Sequence, residues 1–103
     1  MKSGVELIAE ERIKQVEKDG WTSEHDAEHN SGELVDAAVS YCISSPDFEI
    51  NIGNAYTDVK AKIAIWPWSI KAWKPSPKNR IRELVKAGAL IAAEIDRLQN
   101  LNP

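Results

Sequence analysis

The sequence predicts a mainly α-helical protein. Its three-helix core covers about residues 4–19, 32–44 and 77–99, with an irregular segment or small β-hairpin between the second and third helices. Three observations carry this. Apolar residues recur at helical spacing in three blocks, capping residues, glycine or proline bound those blocks, and the spacing between residues 45 and 75 changes to alternation and proline punctuation.

The first helix opens at Ser3, three residues before Glu6, a capping-box arrangement in which each side chain satisfies a backbone donor of the other. Val5, Ile8, Ile13 and Val16 follow as an apolar stripe widened by Leu7 and Ala9, and Gly20 supplies a left-handed terminator. Trp21 should fold back on the core. Residues 21–31 are polar and read as a connection, with a short helical turn starting at Thr22 or Ser23. The second helix starts after Ser31, places Leu34, Ala38, Tyr41 and Cys42 on one face, and closes before Pro46.

Residues 45–75 allow two readings in their first part. Phe48, Ile50 and Ile52 alternate with polar residues, as do Val59, Ala61, Ile63 and Ile65, and Gly53-Asn54 between them suits a hairpin; a short helix over 55–64 is the alternative. The Trp66-Pro67-Trp68 and Trp73-Lys74-Pro75 stretch is expected to be extended. The third helix takes Ser76 as its cap and Pro77 as its first residue. Ile81, Leu84, Gly88, Ile91, Ile95 and Leu98 then form an a/d seam about three heptads long, with Gly88 marking a close approach by another helix. A face that long calls for helices 1 and 2 or for a second subunit, so homo-oligomerisation through the third helix is expected.

The chain has 103 residues, enough for a single domain over 1–103 with one compact core. With 43% hydrophobic and 28% charged residues it falls in the globular class rather than the disordered one. No apolar run is long enough to cross a bilayer and no signal-peptide core follows Met1, so a cytoplasmic, non-membrane protein is expected. Cys42 is the only cysteine, which excludes an internal disulfide and a Cys-rich zinc site. The charge is segregated. Residues 1–36 carry ten acids against four bases, whereas residues 60–97 carry nine bases against three acids. These halves serve either as complementary solvated faces or as a cation site opposite an anion site.

Three constellations could carry chemistry. His25, His29 and Glu33 would share a face on a continuous helix and could serve a metal or substrate; His25 and Asp26 could equally brace the connection. Glu10, Glu11, Glu33 and Asp36 could converge on Mg²⁺ if helices 1 and 2 pack antiparallel, although acids near helix N-termini also complement the dipole. Trp66, Trp68 and Trp73 interleave with Lys71, Lys74, Lys78, Arg80 and Arg82, a composition that stacks a base and neutralises phosphate, or that covers a small core. A pI near 5.4 argues against a dedicated nucleic-acid binder and for a nucleotide-sized anion.

Glu10-Glu11-Arg12 with Gln15, Gly20-Trp21-Thr22-x-x-His25-Asp26-x-x-His29 and Gly32-Glu33-Leu34-x-x-Ala37-Ala38-x-x-Tyr41 resemble a family of small phage and prophage proteins. So do Trp66-Pro67-Trp68, Trp73-Lys74-Pro75 and the segment from Lys86 to Leu98. More remotely, the helical arrangement is similar to the MazG-like all-α nucleoside triphosphate pyrophosphohydrolases. That resemblance implies Mg²⁺ bound by acidic helix motifs and hydrolysis of a nucleoside triphosphate to monophosphate and pyrophosphate. Glu33-x-x-Asp36 matches one such motif; Glu6 and Glu10 are spaced by four, and Glu83-x-x-Lys86 has lysine where a second acid would stand. The enzymatic expectation assigns Mg²⁺ to Glu10, Glu11, Glu33 and Asp36, positioning of water or the base to His25 or His29, phosphate to Lys74 or Arg80, and the base to Trp68. The alternative is a non-catalytic protein–protein interaction module of phage or prophage origin.

Overall fold

The computed structural model describes residues 1–101. Its elements are α1 (Gly4–Glu17), α2 (Ser23–Ala27), α3 (Glu33–Ile43), β1 (Asp47–Asn51), β2 (Lys60–Ala64), a 3₁₀ turn (Ile70–Ala72) and α4 (Arg80–Asn100). The protein is mainly helical with one two-stranded antiparallel sheet. Among the described residues no helix is long and apolar enough to cross a membrane.

The Ser3–Glu6 capping box forms as the sequence indicates, and Gly20 adopts φ +74° beyond the end of α1. Thr22 caps α2 by accepting from the His25 amide. Asp26, nearly fully buried, then takes the Arg12 guanidinium at 2.7 Å and lies 3.2 Å from His25 Nδ1. Arg12 also reaches Asp96 at 3.7 Å, so one arginine links α1, α2 and α4. The His25-Asp26 pair therefore braces the connection.

The core lies between α3 and α4. Leu34, Ala37, Ala38 and Tyr41 of α3 meet Ala87, Leu90 and Ala93 of α4. Small side chains let the two helices approach closely, and Trp21, Trp66, Trp68 and Trp73 close one side of this cluster.

Three expectations are corrected. α4 begins at Arg80, not Pro77: Pro77 sits in a turn closed by the Asn79 amide on the Ser76 carbonyl, and the Asn79 side chain caps the helix at Arg82. The α4 seam faces outward over most of its length, with Ile81 67% and Ile95 50% exposed, because the alanine face rather than the isoleucine face packs on α3. Only Gly88 is covered as the seam predicts: Ile8 of α1 lies over it, so that a β-carbon there would sit 2.5 Å from Ile8 Cδ1. Likewise Val5, Ile13 and Val16 of α1 are exposed, and its buried residues are Glu11 and Gln15.

Residues 47–64 form the hairpin, not the alternative helix. Phe48 pairs with Ile63 and Ile50 with Ala61 on one face, while Glu49 pairs with Lys62 and Asn51 with Lys60 on the other. At its tip the Ile52 and Gly53 amides donate to the Val59 carbonyl. A side chain on Gly53 would collide with the Thr57 carbonyl and the Val59 nitrogen, so glycine is required there. The hairpin base is pinned by the Ile65 and Trp66 amides donating to the Pro46 carbonyl.

Candidate functional site

The site is built from α1, α3, the tryptophan stretch and α4. Proline at 67 and 75 keeps residues 66–75 from continuing as helix, and Ser69 caps the 3₁₀ turn while its carbonyl accepts the Trp66 indole N–H at 2.9 Å. The stretch thus folds across the α3–α4 core and presents its rings to it. Trp66 meets Tyr41 edge-on at 5.6 Å, Trp73 at 5.0 Å and Trp68 at 5.3 Å between ring centres. Trp73 and Tyr41 lie 4.8 Å apart. Beyond Trp68 the series continues to Trp21 and His29, and Trp21 stacks on His25 with an interplanar angle of 14°. Seven rings form a continuous wall.

Against this wall lies a cavity of about 200 Å³, bounded by Trp21, Tyr41, Trp66 and Trp68 on the aromatic side and by Glu11, Lys14, Gln15, Lys74, Arg82 and Lys86 on the polar side. Two residues that line it carry a side-chain polar atom that is buried without a hydrogen-bond partner among the described residues: Gln15, only 4% exposed, at Oε1, and Trp68 at its indole Nε1. Such an orphan costs about 1–3 kcal/mol.

The charges are ordered by position on the helices. Arg82, Lys86 and Leu90 follow at four-residue steps on the α4 face beside the cavity. Arg82 holds Glu11 through both guanidinium prongs, at 2.5 and 3.2 Å, and Lys14 lies 3.9 Å from the same carboxylate. Lys86 Nζ donates to the Lys74 carbonyl at 2.9 Å and sits 5.3 Å from the Tyr41 ring centre. Burial lowers the Lys86 pKa, and the neighbouring Arg82 cation adds to the effect. Burial pushes the Tyr41 hydroxyl up. On the far side of the Glu11–Arg82 pair a second, wider hollow of about 360 Å³ opens between α1 and the start of α4, lined by Leu7, Glu10, Asn79 and Val85.

Of the residues singled out in the sequence, Trp68, Lys74, Glu11 and Arg82 come together at this cavity. His25 and His29 belong to the far end of the aromatic wall and are not among the residues that line the cavity. His29 Nδ1 is 3.4 Å from Glu33, whose other oxygen accepts the Ser31 amide at 2.6 Å. Partial desolvation pushes the Glu33 carboxyl up, but the Glu33 and Ser31 amides and His29 together outweigh it and hold the pKa below the ordinary value. Glu10 is exposed and paired with Lys2 at 2.5 Å. Arg80 points away, donating to the Tyr41 and Cys42 carbonyls at the end of α3 and lying 3.5 Å from the buried Glu83.

Of the four acids considered for Mg²⁺, Glu10, Glu11 and Glu33 are therefore held by separate partners, and Asp36 lies half-buried on α3 one turn beyond Glu33. Among the described residues no three His, Cys, Asp or Glu side chains form a group that could hold a metal ion. The donor set in this conformation does not fit Mg²⁺, which needs several oxygen ligands free to face one ion. Sequence reasoning missed Gln15, Lys14, Lys86 and Tyr41 as cavity residues. Lys86 had a visible signal in its four-residue spacing from Arg82; Gln15, on the polar side of an apparent apolar stripe, had none. The chain matches no protein-family model, and no curated protein or solved structure is significantly similar to it.

Proposed function

We propose that this protein binds a nucleotide, with the base in the aromatic cavity and the phosphates on Lys14, Arg82, Lys86 and Lys74. The observation that carries the reading is the aromatic-walled cavity rimmed by Lys14, Arg82, Lys86 and Lys74, whose lining includes the unpartnered side chains of Gln15 and Trp68. A base edge presents donors and acceptors together, and its faces stack on indole. The volume sets the scale. About 200 Å³ is below the roughly 300–1,000 Å³ of sites that enclose a drug-sized ligand, so it admits a base and leaves ribose and phosphate outside. A cytoplasmic setting belongs to the same reading.

Binding is favoured over hydrolysis. A Mg²⁺-dependent pyrophosphohydrolase reaction would need Glu10, Glu11, Glu33 and Asp36 to converge, whereas Glu11 is held by Arg82, Glu10 by Lys2 and Glu33 by His29 and the Ser31 amide. The test is a thermal-shift panel of ribo- and deoxyribonucleoside mono-, di- and triphosphates. A ligand at 100 times its Kd stabilises the native state by about 2.7 kcal/mol, which moves Tm by about 10 °C or more in a domain this size. Shifts that depend on the base and are abolished by Trp68→Phe and Gln15→Leu support the site. A flat panel with a folded protein overturns it.

A further inference from the structure

Two of the apolar surfaces that the chain leaves uncovered lie on the hairpin and on the second half of α4. One is the Phe48, Ile50 and Ile63 face of the hairpin, where Phe48 is 43% exposed. The other is the Ile91, Ile95 and Leu98 face of α4. A lone two-stranded hairpin is at best marginally stable in water; it needs a third strand or a helix on its apolar face.

Area says what covers them. A compact 11.5 kDa monomer exposes about 5,800 Å². This chain exposes 7036 Å², roughly 1,200 Å² more than that scaling predicts. Its radius of gyration, 15.9 Å, likewise exceeds the ~13 Å of a compact domain of this length. A standard interface buries ~800 Å² per partner and obligate homodimers bury more, so the excess is of the size that one homodimer interface buries per protomer.

We propose that a second copy of this chain covers both surfaces reciprocally, the hairpin of each protomer lying with its apolar face on α4 of the other. Two-fold symmetry then satisfies both surfaces with one contact made twice. The alternation of β1 and β2 supplies Phe48, Ile50 and Ile63 as one flat face, and the outward seam of α4 supplies the ridge beneath it. A continuous α4–α4 coiled coil is the less suitable pairing, because Ile8 of α1 crosses the seam at Gly88 and interrupts it.

The test is mass in solution by light scattering on the full chain at micromolar concentration. The expected result is twice 11.5 kDa. Ile50→Glu on the hairpin and Ile95→Glu on α4 should each weaken the dimer by roughly 30-fold or more, the level of a central interface residue, with far-UV circular dichroism showing that the helices persist. Should either variant unfold, Ile50→Ser and Ile95→Ser replace it. In a Cys42→Ser background, mixing Phe48→Cys with Ile95→Cys protomers should give a disulfide-linked pair that neither gives alone. A monomeric wild type, a dimer indifferent to both substitutions, or cross-linking of Phe48→Cys with itself overturns the proposal.

Discussion

Glu11 and Arg82, 71 residues apart in the chain, meet in a two-pronged ion pair that separates the aromatic cavity from the wider hollow between α1 and α4. The pair is unequal: Glu11 is 6% exposed, whereas the Arg82 side chain is 32% exposed. Removing the arginine strands a buried carboxylate, whereas removing the carboxylate leaves a cation that water and an anionic ligand can reach. Arg82→Ala should therefore cost about 3 kcal/mol and Glu11→Ala about 1 kcal/mol in chemical denaturation.

The same asymmetry separates two roles for Glu11. If its function is to hold Arg82, Glu11→Gln frees the guanidinium and tightens the binding of phosphate-bearing ligands. If Glu11 were a metal ligand, the substitution would weaken them. Isothermal titration with a nucleoside triphosphate, with and without Mg²⁺, reads the sign directly; we expect tightening in both conditions.

Gly88 and Ile8 form a second coupled pair. An alanine at 88 gains about 1 kcal/mol of helix propensity but drives its β-carbon to 2.5 Å from Ile8 Cδ1, an overpacking that costs about 1–3 kcal/mol. Gly88→Ala should destabilise the protein by about 1 kcal/mol on balance, yet stabilise an Ile8→Ala background by a similar amount. A double-mutant cycle of urea midpoints measures the change of sign.

Lys86 gives the binding reaction a pH dependence. Its folded pKa lies below the ordinary lysine value because of burial and Arg82. The folded protein therefore releases this proton before the unfolded chain does, so this group's contribution to stability rises with pH between the two pKa values. Binding of a phosphate runs the opposite way. It requires the protonated amine, so affinity falls as pH rises through the lowered pKa, and above that pKa binding is accompanied by proton uptake. Lys86→Arg should keep affinity flat over that range, since arginine stays charged.

Gly53→Ala should act locally. The added carbon meets backbone atoms of Thr57 and Val59, which have no rotamer to change, so the hairpin tip must open. At concentrations where the chain is monomeric, hydrogen exchange should accelerate throughout residues 47–64 while α4 keeps its protection.

The helices were legible because their signals are local. Ser3 with Glu6, Gly20 and Pro46 fix where segments begin and end, and the extents of α1 and α3 follow within a few residues. Which face of α4 packs was not legible, since isoleucine and alanine both satisfy an apolar pattern. The choice fell to alanine because close approach of α3 and α4 requires small side chains. Trp68 and Lys74 were identifiable from composition. The pairing of the carboxylates was not legible for a physical reason: sequence shows that Glu11 is acidic but not that Arg82, most of a chain length away, pairs with it.

The aromatic wall has a spectroscopic consequence. All four tryptophans of the chain belong to it, within 6 Å of a neighbouring ring, so excitation migrates among them and they emit as one chromophore. The tryptophan emission of this protein, excited at the red edge where the hairpin's Tyr56 does not absorb, is consequently a report from the aromatic wall alone. The hairpin and the outward face of α4, which carry no indole, are dark to it, and an unfolding curve followed by emission would describe only one end of the molecule.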